Sequence, residues 1–338
     1  MRSLTALDLY FLRKEFIHLI GSRLDKVYQP SNKELILQLH KDGKHILKIL
    51  IGQAIFLSSE KSAGEQLTFA KFLRKQLKNS KLIDIAQNNF ERILELHFSG
   101  KDSKILIVEL FSKGNIILCD KDYNIIAPFL KQQWKDRSIK AKSKYSYPPL
   151  QHSDVITITL PKLKSLLKHS DKDSIVKSLA IDLGLGGVYA EEICFRAKLN
   201  KNSKEVNDKH STAIFSAIKD IRSQDLSPVK SGQDTFPFVL LSKDCIPIDS
   251  FSGALDALYS YDPSIENDQK KLLKVIKKQE KYLEQLKEDI EIEREKGNII
   301  YQNYELITNI LSTPRNKLEQ FHQIKKINAK KQEVELEL

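Results

Sequence analysis

"NNFERILELHFSGKDSKILIVELFSKGNIILCD", residues 88–120, decides the fold. Its runs "RILELHF", "KILIVELF" and "GNIILCD" are β-rich, and the links "SGKD" and "SKGN" are polar and contain glycine. Links that short join antiparallel neighbours, because a parallel pair needs a crossover of about a dozen residues or more. In the first run Leu94, Leu96 and Phe98 face one way, and Glu95, His97 and Ser99 the other. Glu91 and Arg92 stand where that strand begins, after the polar turn Asn88-Asn89-Phe90. Neighbouring strand residues point to opposite faces, so each of these charges is free to pair elsewhere.

The same pattern extends from Leu24 to Leu130, through "RLDKVYQP", "ELILQLH", "HILKILI" and "AIFLSS", with turns such as "KDGK" between runs. One helix interrupts it: "TFAKFLRKQLK" puts Phe69, Phe72, Leu73 and Leu77 on one face and Lys71, Arg74, Lys75 and Lys78 on the other. An earlier helix is expected over Thr5–Leu19, with Thr5 and Asp8 spaced as an N-terminal capping pair. No internal repeat is evident. Residues 150–261 read as mostly helical around "SIVKSLAIDLGLGGVYAEEICFRAKL", and Pro148-Pro149 marks the change. From 262 the chain turns Lys/Glu-rich, with Leu272, Ile276, Leu283, Leu286 and Ile290 near heptad spacing. Gly297-Asn298 is the weak point of that helix, and Pro314 ends or kinks it. The expected architecture is α+β in three domains: a β-rich 1–149, a helical 150–261 and a partial coiled coil 262–338.

Composition bounds the function classes. A 338-residue chain with 55 Lys+Arg against 44 Asp+Glu carries a formal charge of +11, which suits basic faces on a solvated protein and a polyanion as partner. A membrane partner is not expected: the N-terminus lacks a signal peptide's apolar stretch, and "ILKILIGQAIFL" is broken by Lys48 and too short to span. Three scattered cysteines without C-x-x-C spacing point to a reduced, cytosolic compartment and away from a zinc site. No H-x-x-x-H pair, Walker loop, G-x-S-x-G elbow or dinucleotide fingerprint is present, so neither enzyme nor cofactor is indicated.

Two segments invite nucleic acid. "GLGGVYAEEI", residues 184–193, has the spacing of a helix-hairpin-helix, whose glycines Gly184, Gly186 and Gly187 let the backbone turn and present N–H groups to a phosphate. Glu191 and Glu192 follow at once and oppose such an anion, so a purely structural hairpin is the alternative. Residues 131–147, "KQQWKDRSIKAKSKYSY", hold six basic groups against one acid, with Trp134, Tyr145 and Tyr147 interleaved. Cations neutralise phosphates and rings stack on bases, which makes Trp134, Lys135, Arg137 and Lys140 candidate RNA contacts; a solvated linker is the alternative. Arg74 is a further candidate, against the plainer reading of a charged helix face.

Together, "LTALDLYFLRKE", "RLDKVYQP", "FAKFLRKQL", "FERILEL", "ELFSKGNIILCD", "WKDRSIKAKSKYSYPP", "LGLGGVYAEEICFRA" and "KGNIIYQNYELI" resemble the NFACT family of ribosome quality-control factors, in its archaeal and eukaryotic form. The resemblance implies a glycosylase-like N-terminal domain, a helix-hairpin-helix domain and the start of a coiled coil. It also implies binding to the large ribosomal subunit with a stalled peptidyl-tRNA, and recruitment of tRNA for untemplated tailing of the nascent chain. Bond formation then belongs to the ribosome. The family's functional acid in the first helix falls on Asp8, and its Asp-Arg pair on Glu91 and Arg92, with Glu replacing Asp. These three are expected either to face tRNA or to close a salt bridge such as Asp8 to Arg92. The family continues beyond "IKKINAKKQEVELEL", so the chain reads as truncated and its apolar seam as a site of self-association or of folding back. Two rivals remain: a DNA glycosylase relative, for which Arg2 and Ser3 stand where a nucleophilic proline is needed, and a coiled-coil scaffold.

Overall fold

The computed structural model describes residues 2–59, 67–134, 137–150, 152–204, 206–260, 263–328 and 330–337. They form two compact units, Met1–Tyr261 and Asp262–Leu338. The first contains helix α1 (Ala6–Phe16), strands β1 (Arg23–Ser31), β2 (Glu34–His40), β3 (Lys44–Leu50) and β4 (Ala54–Ser58), helix α2 (Thr68–Gln76), and strands β5 (Lys81–Gln87), β6 (Ile93–Ser99), β7 (Lys104–Glu109), β8 (Asn115–Asp120) and β9 (Ile125–Pro128). All nine strands join one antiparallel sheet in the order β4-β3-β2-β1-β5-β6-β7-β8-β9.

That order is two meanders back to back, each preceded by a helix, so the domain is a duplicated helix-plus-four-strand unit with β9 added at the outer edge of the second copy. The copies share motifs: "FLRKEF" (11–16) with "FLRKQL" (72–77), and "ELILQLH" (34–40) with "ERILELH" (91–97). The absence of a visible repeat is thereby corrected. Gln29 and Gln87, at equivalent strand ends, each reach the first turn of the other copy's helix: the Ala70 amide donates to Gln29 Oε1 at 3.3 Å, and Gln87 Nε2 donates to the Ala6 carbonyl at 2.8 Å. The equivalent turns at Gly52 and Gly114 meet backbone to backbone. A Cβ on Gly114 would lie 2.1 Å from the Gly52 nitrogen, and both glycines have positive φ (+75° and +68°), so no other residue fits without displacing the turns.

Leucine and isoleucine from both meanders, with Leu9, Leu12 and Phe16 of α1, fill the main core. The other face of the sheet is covered differently in each copy. Over the first meander lies helix α7 (Phe251–Ser260), with Phe251 and Leu255 buried and Asp256 3.5 Å from Lys48 Nζ. Over the second lies residues 137–147, including the short β11 (Ser138–Ile139) that pairs with β10 (Gln132–Gln133).

Between these covers run α3 (Leu160–His169), α4 (Ile175–Ile181), α5 (Gly186–Arg196), α6 (Asp208–Ser223) and a small sheet of β12 (Val229–Ser231), β13 (Asp234–Phe236) and β14 (Ile246–Pro247). Their core takes in Ala6, Leu7 and Phe11, so α1 serves both hydrophobic clusters. In the second unit α8 (Pro263–Gln302) runs through Gly297 without a break, α9 (Tyr304–Ser312) follows, and β15 (Ile324–Asn328) pairs with β16 (Glu333–Leu336). Leu283, Leu286 and Ile290 on α8 are exposed, while the side chain of Leu272 lies outside the described residues. Among the described residues no helix is long and apolar enough to cross a membrane.

Candidate nucleic-acid interface

The turn before β6 is one residue shorter than its counterpart before β2, four steps from Gln87 to Glu91 against five from Gln29 to Glu34. Asn89 and Phe90 both take positive φ (+47° and +56°), and the Glu91 amide closes on the Asn88 carbonyl at 2.9 Å, the type I′ pattern of a tight hairpin. A bulky residue with positive φ is costly. Phe90 is held there because its ring is buried in the helical core, edge-on to His152 at 6.3 Å between centroids. The turn delivers Glu91 to His152, whose Nε2 lies 3.3 Å from Glu91 Oε1. That hydrogen bond raises the His152 pKa despite partial burial.

Arg92, the next residue, lines a cleft of about 450 Å³. One wall is Glu91 and Arg92, just before β6, with Phe111, just after β7; the other is His152, Ala180, Gly184 and Gly186; Ser3 to Ala6 form the floor, and Pro148 and Pro149 complete the lining. Burial pulls the Arg92 pKa down, partly offset by Glu91, and the one side-chain hydrogen bond it makes among the described residues is to the Leu4 carbonyl at 3.5 Å. A half-desolvated guanidinium with so weak a partner is suited to take an anionic oxygen.

The glycine turn is shaped by the same wall. Gly184 (φ +64°) lies against His152, where a Cβ would come within 2.8 Å of the ring, and Gly186 (φ +73°) lies against Thr5. Gly187 opens on free space. The two acids that oppose a phosphate are occupied elsewhere. Glu192 is fully buried, accepting from the Leu241 and Ser242 amides and from Arg196; burial alone would raise its pKa, and these donors bring it below its usual value. Glu191 pairs with Lys201 at 2.7 Å.

Asp8 is not at the surface of this cleft. It is fully buried, caps α1 through Thr5 as expected, and accepts from both guanidinium nitrogens of Arg2, at 2.6 and 2.7 Å, and from the Tyr189 hydroxyl. Burial alone would depress the Arg2 pKa; Asp8, with Tyr189 and Asp234, reverses this and raises it. The Asp8–Arg92 pair considered from sequence is not formed. Asp8 instead anchors Arg2, whose guanidinium also sits 4.5 Å from the Phe236 ring centroid, and so fixes the floor on which Arg92 rests.

The basic aromatic segment is also corrected. Arg137 is buried against Glu109 and donates to the Ser146 carbonyl at 2.6 Å; Tyr145 donates to Glu109 at 2.8 Å; Tyr147, with Tyr123 and His97, donates to Glu95. Arg137 and the Tyr145 ring are thus buried against the sheet, whereas Tyr147 and Tyr123 are half-buried. Burial would raise the Glu95 pKa, and its three donors bring it below the ordinary range. Trp134 (44 % exposed) and Lys140 remain outside, and Lys135 lies outside the described residues. Arg74 lines a different groove with Arg23, Lys75 and Lys78. His152 and Arg2 carried no sequence signal that would have singled them out. Among the described residues no group of His, Cys, Asp and Glu could hold a metal ion.

Residues 5–338 match the family described as NFACT N-terminal and middle domains. The chain belongs to the NFACT family. Among its NFACT relatives, the archaeal Rqc2 homolog aRqcH of Methanocaldococcus jannaschii is 31% identical over 367 residues, covering 96% of this chain and 54% of that protein. The human ribosome quality control complex subunit NEMF is 24% identical over 355 residues, covering 89% of the chain and 32% of that protein. The chain thus spans about half the length of the archaeal relative and about a third of the human one. The N-terminal part of the fibronectin/fibrinogen-binding protein from Streptococcus suis superposes with a TM-score of 0.66 at 23% identity over 77% of this chain and 100% of that structure, so the fold is shared.

Proposed function

We propose that this NFACT chain works in ribosome-associated quality control, as an adaptor that engages a large ribosomal subunit carrying a stalled peptidyl-tRNA and recruits tRNA for untemplated tailing. The reading draws on the relatives whose names place them in ribosome quality control. The observation that carries it is the Arg92 cleft, where a cation whose side chain makes one weak hydrogen bond among the described residues shares the lining with Gly184 and Gly186. In this reading the turn with α4 and α5 is a helix-hairpin-helix, Arg92 takes a phosphate, Glu91 with His152 orients it, and Asp8 acts by holding the floor. Trp134, Lys140 and Arg74 add contacts at the periphery. Residues 1–149 and 150–261 are two domains sharing the cleft, α8 begins a coiled coil whose exposed seam is open to self-association, and the setting is cytoplasmic.

In this reading peptide-bond formation is left to the ribosome, and the chain acts by binding. The test is filter binding of tRNA over a salt series. Arg92→Ala should weaken binding by roughly tenfold and flatten the salt dependence by about one phosphate contact. Unchanged affinity and unchanged slope would remove the cleft from RNA binding.

A further inference from the structure

The two copies of Phe-Leu-Arg-Lys have different surroundings. In α1, Lys14 lies over the rings of Tyr10 and Phe11 at 4.8 and 4.7 Å and donates to the Gln224 carbonyl at 3.1 Å. Next to it Glu15 accepts from Ser250 and Ser252 at the start of α7. The first copy is therefore an internal joint. In α2 the acid is replaced by Gln76, the helix carries no Asp or Glu, and Arg74, Lys75 and Lys78 enter none of the ion pairs formed among the described residues. A motif that the first helix uses to hold its own chain is left facing outward in the second.

These cations rim a groove of about 420 Å³ between α2 and β1. Arg23 stands on the β1 side, and Arg74, Lys75, Lys78 and Asn79 on the other. Leu24, Val27 and Leu77 line it too and are themselves buried, so the side chains that reach solvent along it are mostly the charged ones. The lone carboxylate, Asp25, already accepts from Gln38 Nε2. What remains at the rim is cationic and donor-rich, in a trough that shares no residue with the Arg92 cleft. A run of anionic acceptors along a backbone satisfies it, whereas an acidic peptide would find charge but no exposed apolar side chain to anchor its own.

We propose that this groove seats the phosphate backbone of base-paired RNA, as a second contact point separate from the Arg92 cleft. It rests on the reading of the chain as an RNA binder, but not on Arg92. The test is filter binding of tRNA and of a short RNA duplex to the whole chain from about 50 to 200 mM salt. Variants are Arg74→Gln with Lys78→Gln, the charge-keeping Arg74→Lys with Lys78→Arg, and Arg92→Ala. The glutamine pair should lower duplex and tRNA affinity roughly tenfold and make the salt slope shallower by about 2, near 0.9 per lost phosphate contact. The charge-keeping pair should restore the slope, and the melting temperature should not move. An unchanged slope in the glutamine pair overturns the groove whatever Arg92→Ala does, and the Arg92 result then judges the cleft by itself. Polyglutamate displacing RNA as well as RNA does, at equal charge, would also overturn it and assign the groove to an acidic peptide.

Discussion

The first and second meanders start from the same sequence pattern and end with opposite polar locks. Register places Lys48 of β3 where the second copy has Glu109 of β7, both buried. Lys48 is met by Asp256 of α7, while Glu109 is met by Arg137 and Tyr145 of the 137–147 cover. The same divergence separates Gln38, which donates to Asp25, from Glu95, which gathers a histidine and two tyrosines. A duplicated sheet has two equivalent uncovered faces, and opposite charges at matched positions ensure that each accepts only its own cover. The lesson for function is that a basic aromatic stretch is an RNA surface only if its charges are not already owed to buried carboxylates.

The comparison can be broken first at the Gly52–Gly114 contact. Gly114→Ala, with its Cβ 2.1 Å from backbone, should destabilise far more than Gly52→Ala, whose Cβ would meet Lys113 at 3.0 Å. The expected loss for Gly114 exceeds ~4 kcal/mol, read by thermal or urea unfolding. Equal, small effects would mean that the two turns do not touch.

A smaller loss is expected where the covers are locked. Glu109→Gln leaves Arg137 buried without its charge partner and should cost about 3 kcal/mol, whereas Glu109→Leu combined with Arg137→Met and Tyr145→Phe, which also removes the hydroxyl that Glu109 accepts, should recover part of it. The combined substitution, measured by denaturant unfolding, separates the charge lock from the packing of the cover. If single and combined variants lose equally, the lock is not electrostatic.

How much of this was legible follows from where the partners lie in the chain. The Thr5–Asp8 cap and the hairpins of β6 to β8 are local, and each appears in the structure as its residues imply. The burial of Glu95 and Glu109 was hidden, because alternation marks a polar face as solvated and its covering residues Arg137, Tyr145 and Tyr147 lie 28 to 52 positions away. The duplication is faint in the sequence because only short motifs survive and the turn before β6 has lost a residue. Glu91 and Arg92 could be flagged as unpaired neighbours, but nothing in the sequence shows that His152 closes on one and the glycine turn faces the other.

The smallest effect expected is at the clasp between these walls. His152 has a raised pKa, so its contribution is present below its unfolded value and is lost as pH rises through the folded one. Stability should therefore fall by less than ~1 kcal/mol on going from slightly acid to slightly alkaline pH, given a partly exposed pair. His152→Gln should remove that slope in a melting-temperature titration, and a slope that survives would assign it to another group.

The most direct measurement is ultraviolet crosslinking of the whole chain to tRNA, followed by mass spectrometry of the modified peptides. Adducts should fall on peptides around Arg92, Phe111 and residues 180–187, and spare Arg137, Tyr145 and Tyr147. Adducts confined to residues 137–147, with the Arg92 wall unmodified, would contradict the account.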